Sequence, residues 1–321
     1  MNERLLRMPK VELHVHLDGS ISLDLLSKWS CLPLDEVREK IISQNDSSLK
    51  EYLAHFDFIN EYLQTKKSLE LASFMLGKEL ERENVVYAEI RFAPLLHTKN
   101  GLTINEVIDS VLLGLSNCKI KTNLILCMLR GYSKEENYMV IEAANRYLGK
   151  GVVAVDLAGD EGNIPFTKSE YFFSMCKFAN IPTTIHAGEV LTRDIKDVIK
   201  YTKRIGHGIK IADSIELMNL VKEHDLLLEV CPNSNIDTKN IDSYTNHPIK
   251  KLFNYGIKLC INTDNRTVSN ISLTDEYINL VNILGFTYDD LVKMNLNAID
   301  GAFISESEKD ELRKLFQNEK A

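Results

Sequence analysis

Eight short, apolar, β-branched runs recur along the chain, and the stretches between them read as helices. The runs are VELHVHL (11–17), VVYAEIRFAP (85–94), TNLILCML (122–129), VVAVDLAG (152–159), PTTIHAGE (182–189), RIGHG (204–208), LLLEVCPNSN (226–235) and IKLCINTD (257–264). A strand that is apolar at nearly every residue is buried on both faces, as in a parallel sheet covered by helices. Between the runs, Leu69, Ala72, Leu76 and Leu80 mark one apolar helix face. Ser272 with Asp275 and Thr287 with Asp290 have capping-box spacing, with Asp in place of the usual Glu or Gln, and Gly285 suits a helix end. Eight strands alternating with helices is the count of a closed α/β TIM barrel, (β/α)8. A doubly wound open sheet is the runner-up, but no GxGxxG turn follows any strand. The segment 18–84 is too long for a loop and predicts an extra helical cap between strand 1 and strand 2. No linker, repeat or low-complexity tract interrupts residues 1–321, so a single domain is expected.

Composition narrows the function classes. A net charge of −8 argues against a broad phosphate-binding surface, so no nucleic-acid partner is expected. No apolar run approaches the roughly 18–20 residues that cross a bilayer, so no membrane partner is expected either. MNERLLRMPK leads into the first strand without an apolar signal core. The six cysteines contain no CxxC pair and read as reduced thiols, which favours the cytoplasm.

Chemistry collects at the strand ends, where a barrel carries its active site. His14 and His16 lie on one strand face, about 7 Å apart along it, and both imidazoles can point inward at one ion. His186 and Glu189 close the fifth run, His207 sits between Gly206 and Gly208, and Asp264 and Asn265 end the eighth. Three histidines and a carboxylate from these strands make a nitrogen–oxygen set suited to Zn2+ with an open position for water. His55, His97, His224 and His247 are given no role, nor are Cys231 and Asn233. Phe56 and Phe58 are candidates for an apolar pocket wall, with helix packing the better reading for at least one.

VELHVHLDGS (11–20), VDLAGDE (155–161), HAGE (186–189), GHG (206–208) and NTDN (262–265) occur in order on these strands. Together they resemble the adenosine deaminase family of metal-dependent amidohydrolase barrels, from about residue 8 to past residue 300. The resemblance implies one Zn2+ per subunit, held by His14, His16, His186 and Asp264. It implies that water activated there attacks C6 of a purine, with ammonia leaving, in purine salvage. Glu189 resembles the family's proton donor to N1, and His207 the histidine acting as base or electrostatic orienter beside that water. Asp264 joins Glu189 and His207 as a catalytic residue by helping to orient the water. Substrate contacts are expected from His16, Asp18, Gly159 and Asn265. Asp18 matches the aspartate that accepts from a ribose 5′-hydroxyl, where related adenine deaminases carry Glu and nucleotide-acting relatives Asn. Gly159 matches the residue whose backbone N–H meets N3. Asn265 departs from the more common Asp that contacts N7, and its amide carries donors without needing a raised pKa.

The expected partner is a small purine nucleoside, adenosine and 2′-deoxyadenosine foremost, with adenine or a modified adenosine as the alternative. The oligomeric state stays open. A phosphoesterase or nuclease would want several metals and basic residues, and strand four carries no Lys to bridge two ions. The other zinc deaminase fold shows HxE with PCxxC, and neither pattern occurs. A catalytically dead barrel acting as a binding protein would have lost a ligand or Glu189, and all are present.

Overall fold

The computed structural model describes residues 2–42 and 49–317. Eight parallel strands form the centre: β1 (Lys10–His16), β2 (Val85–Phe92), β3 (Lys121–Leu129), β4 (Val152–Ala158), β5 (Ile185–Ala187), β6 (Arg204–His207), β7 (Leu227–Val230) and β8 (Lys258–Ile261). They pair in chain order as β1 to β4 and β5 to β8. Two seams close the ring. Val155 pairs with Thr183, with Thr184 N–H on Val155 O at 3.0 Å. Val15 pairs with Asp264, whose N–H donates to His14 O at 2.9 Å while His16 N–H donates to Asp264 O at 2.7 Å. The expected (β/α)8 barrel is therefore present.

One continuous apolar core runs from Leu5 to Phe316, filling the space between strands and outer helices. Both expected capping boxes form, at Ser272/Asp275 and Thr287/Asp290, and Gly285 ends its helix in the left-handed conformation at φ 63°. Among the described residues, no helix is long and apolar enough to cross a membrane.

Three boundaries differ from the sequence reading. The fifth run contributes a strand only at Ile185–Ala187, with Thr183 pairing separately to Val155 at the seam. The seventh stops at Val230, and Pro232 opens a short helix, Pro232–Asp237, as a proline at a first helical position does. The cap consists of helices Leu23–Ser30, Leu34–Ile41 and Leu49–Tyr62, the last of which lines the barrel mouth through Tyr52, Phe56 and Asn60. Lys66–Arg82, at the end of the 18–84 stretch, is instead an outer barrel helix packed on helix Ile104–Ser116.

Candidate active site

The carboxyl ends of β1, β5 and β8 bring His14, His16, His186 and Asp264 together, each offering a ligand atom within 4.8 Å of the others. His14 Nε2 and His16 Nε2 each stand 3.4 Å from Asp264 Oδ1. His14 Nε2 is buried and has no hydrogen-bond partner, a costly state unless something occupies the space it faces. An ion that takes imidazole nitrogen and carboxylate oxygen supplies that partner, so the residues fit Zn2+. His14, His207, Cys231 and Asp264 also lie close enough to form a set. Burial holds the Cys231 thiol well above its usual pKa, and His207 Nδ1 is engaged by Asn235 at 3.0 Å. The first set is the better one.

Each of its inner histidines is steered from behind. Glu229 Oε2 meets His14 Nδ1 at 2.9 Å, and Asp156 Oδ2 meets His186 Nδ1 at 2.9 Å. A carboxylate on Nδ1 fixes the ring's tautomer and leaves Nε2 for the ion. Arg91 ties the two carboxylates together, donating to Asp156 at 2.9 Å and to Glu229 at 2.7 Å. Burial opposes the charge on Glu229, but Arg204 and Arg91 outweigh it and hold its pKa well below normal.

Glu189 faces the same space. Its Oε1 accepts from Thr238 Oγ1 at 3.3 Å and Asn240 Nδ2 at 3.2 Å, and its Oε2 is 3.7 Å from His207 Nε2. Burial, then the negative charges of Asp264 and Glu161, push its pKa up to about 8, so it carries its proton at neutral pH. Glu161 also builds the turn, accepting the N–H groups of Gly188, Glu189 and Val190 at 2.7, 3.0 and 3.0 Å. His207 and Asp264 both lie at positive φ, 62° and 60°, a strained conformation of the kind found at functional sites. Ser234 Oγ donates to Asp264 Oδ2 at 2.6 Å.

A cavity of about 320 Å³ opens onto these groups. His16, Asp18, Gly159, Glu189, His207, Asp264 and Asn265 all line it, which gathers the sequence-predicted substrate residues around one space. Phe56 lines it too, whereas Phe58 packs on Tyr62 with ring centroids 5.3 Å apart. Gly19 is required beneath Asn265, because a Cβ there would lie 2.0 Å from Asn265 Oδ1. Gly159 sits at φ 95°, which glycine alone adopts readily. Asp18 Oδ1 is buried without a partner, and its Oδ2 is 3.9 Å from His97 Nε2, also without one. Burial raises the Asp18 pKa to about 7.

Comparison with known proteins agrees with this geometry. The family model described as Adenosine deaminase matches residues 9–318. The chain belongs to the adenosine deaminase family. The adenosine deaminase of Clostridium perfringens (strain ATCC 13124) is 42% identical, the match covering 96% of this chain and 98% of that protein. The adenosine deaminase of Clostridium acetobutylicum is 41% identical, with 98% of each chain covered. Among solved structures, arabidopsis ADAL complexed with IMP superposes with a TM-score of 0.89 at 27% identity, covering 98% of each chain. The protein is thus a hydrolase acting on the C–N bond of an amidine, as the adenosine deaminase family does.

Several site residues of this adenosine deaminase family member escape sequence reading. Asp156, Glu229, Arg91 and Arg204 are charged residues inside apolar strand runs, and that misplaced charge was their signal. Ser234, Asn235, Thr238 and Asn240 follow β7 and reach Asp264, His207 and Glu189. Their signal was the polar run after Pro232, at the carboxyl end of a strand.

Proposed function

We propose that one Zn2+ is held by His14, His16, His186 and Asp264, and that the site hydrolyses the 6-amino group of adenosine to give inosine and ammonia. 2′-Deoxyadenosine is a second substrate on this reading. The observation that carries it is the convergence of four ligand atoms, one of them an orphaned buried imidazole nitrogen, beside a glutamate that keeps its proton. Zinc supplies a Lewis acid that lowers the pKa of water at its open position to about 7.

The chain's own groups do the rest. Protonated Glu189 donates to N1 of the purine, which draws electron density from C6 and prepares it for attack. Asp264, anchored by Ser234, and His207 orient the attacking water. The backbone N–H of Gly159 meets N3. Asn265, with its oxygen packed over Gly19, presents its amide N–H to N7. Phe56 and Leu129 add apolar surface for the base.

Asp18 sets the choice of ribose. Its buried, unpartnered oxygen accepts a hydrogen bond from a 5′-hydroxyl. A 5′-phosphate would instead meet Asp18, Asp57 and Asp160, acidic residues around the same cavity. The cation lining it, Arg130, is committed to Ile164 O at 2.7 Å, Asp194 at 3.2 Å and His186 O at 2.9 Å. We read the whole chain as one catalytic domain, and its free cysteines fit the cytoplasm.

The test is the ultraviolet change when zinc-loaded protein meets adenosine, adenine and 5′-AMP in parallel. Conversion of adenosine well ahead of the other two is expected. Preferred conversion of adenine or AMP would overturn the ribose assignment, and conversion of none would overturn the reaction.

A further inference from the structure

His207 sits on Glu189 and Asp264, and what it can do depends on which ring nitrogen holds its proton. Three groups behind it settle that question. The backbone N–H of Ile249 points at His247 Nδ1, 3.2 Å away. His247 Nε2 lies 3.3 Å from Asn235 Oδ1, and Asn235 Nδ2 lies 3.0 Å from His207 Nδ1. All three side chains are buried.

A backbone N–H can only donate, so the chain of bonds has one direction. His247 Nδ1 is an acceptor and carries no proton. Its single proton is then on Nε2, and it donates to the carboxamide oxygen of Asn235. That leaves the Asn235 amide nitrogen to donate to His207 Nδ1. Reversing the Asn235 amide does not rescue the opposite arrangement, because His247 would then accept at both nitrogens and hold no proton at all. Burial pushes the His247 pKa down to about 3, consistent with a neutral ring.

We infer that Ile249 N–H, His247 and Asn235 form a hydrogen-bond relay that fixes His207 as its Nε2–H tautomer. His207 Nε2–H then points into the space shared with Glu189 Oε2 at 3.7 Å and Asp264 Oδ2 at 4.0 Å. In this state His207 is a hydrogen-bond donor to an oxygen held there. It cannot take a proton at Nε2, and taking one at Nδ1 breaks the bond to Asn235. Asn235 and His247 are positioning residues, since neither reaches the reacting atoms. The inference rests on the place given to His207 in the proposed reaction, and the experiment separates the two.

Zinc-loaded, full-length protein labelled with 15N-histidine reports tautomers directly through long-range nitrogen–proton correlations. His207 and His247 are both expected to carry the proton on Nε2 near neutral pH. A proton on His207 Nδ1 overturns the relay, whether or not adenosine is turned over. Absence of turnover with the expected tautomer would instead count against the proposed reaction. Asn235→Asp replaces the donor with a second acceptor and forces His207 to protonate Nδ1. That variant is expected to show the flipped tautomer, with kcat lower by about 10²-fold, the scale of losing one positioned donor, and with KM moving far less. A flipped tautomer with undiminished kcat overturns the inference. His247→Gln keeps an oxygen for Ile249 N–H and a donor for Asn235, so it restores the tautomer and most of the kcat lost in His247→Leu. A His247→Leu protein that retains the Nε2–H tautomer removes His247 from the relay.

Discussion

Replacing Glu229 with Gln tests whether the barrel interior holds the metal ligands by charge. Glu229 is fully buried, and its oxygens accept four hydrogen bonds. Oε1 takes Arg204 Nε at 2.6 Å and Thr184 Oγ1 at 2.8 Å, while Oε2 takes Arg91 at 2.7 Å and His14 Nδ1 at 2.9 Å. A Gln side chain must put its amide nitrogen where one of those oxygens stands. At Oε2 it opposes both Arg91 and His14 Nδ1–H, while at Oε1 it opposes Arg204 Nε–H and the Thr184 hydroxyl can turn to accept from it. Either choice removes the buried negative charge and at least one charge-assisted bond. Breaking a buried ion pair by removing one charge costs roughly 3–5 kcal/mol, so the loss is about 4 kcal/mol. For 321 residues, with an unfolding entropy of about 2 cal/mol/K per residue, that is a melting temperature lower by about 6 °C. With the carboxylate charge behind His14 gone, zinc affinity falls about 10–100-fold. Calorimetry of the zinc-free protein reads the first effect, and competition with a chelator the second. A Glu229→Gln protein with both the melting temperature and the zinc affinity of the wild type would show that this buried charge does not hold the site.

Further outcomes follow from the same geometry. Glu189→Gln keeps the metal while kcat falls by about 10²–10⁴, the range for a lost proton donor, and His16→Ala loses the metal itself; metal analysis alongside turnover distinguishes them. Asp18→Asn lowers kcat/KM for adenosine by about tenfold or more and raises it for 5′-AMP, because a buried acceptor becomes in part a donor; unchanged ratios between the two substrates would refute this. Burial lowers the pKa of His97 to about 4 and of His247 to about 3. The unfolded chain protonates both near 6.5, so folding stability is complete above that pH and falls as pH drops from about 6.5 toward those values. The slope is about 1.4 kcal/mol per pH unit per histidine. Denaturation of zinc-free protein at successive pH values should show the slope reduced by one proton in His97→Gln, and equal slopes would contradict it.

What could be read in advance was what repeats locally. A period of two put His14 and His16 on one strand face, and the short strand–turn motifs HAGE, GHG and NTD carried their side chains to strand ends. Capping boxes at Ser272 and Thr287 were legible because two residues three positions apart decide each one. Groups whose role depends on distant partners were not legible. His247 and Asn235 are lone polar residues until the fold sets one beside the other and both behind His207. Asp156 and Glu229 read as irregularities in apolar strands because their arginines come from other strands, β2 and β6. Ser234 lies in a run whose apolar start continues the strand pattern past Val230, while the Pro232 helix turns it onto Asp264. Lys66–Arg82 falls inside the long 18–84 stretch, and length alone cannot tell an inserted helix from a barrel helix.

Whether His14, His16, His186 and Asp264 hold one catalytic zinc is tested by stripping the protein of metal and titrating zinc back while following adenosine deamination. No turnover is expected at the start, then a linear rise and a sharp break at one zinc per chain, with His16→Ala staying inactive throughout. Full turnover in metal-free protein, or a break at two zinc ions per chain, would contradict it.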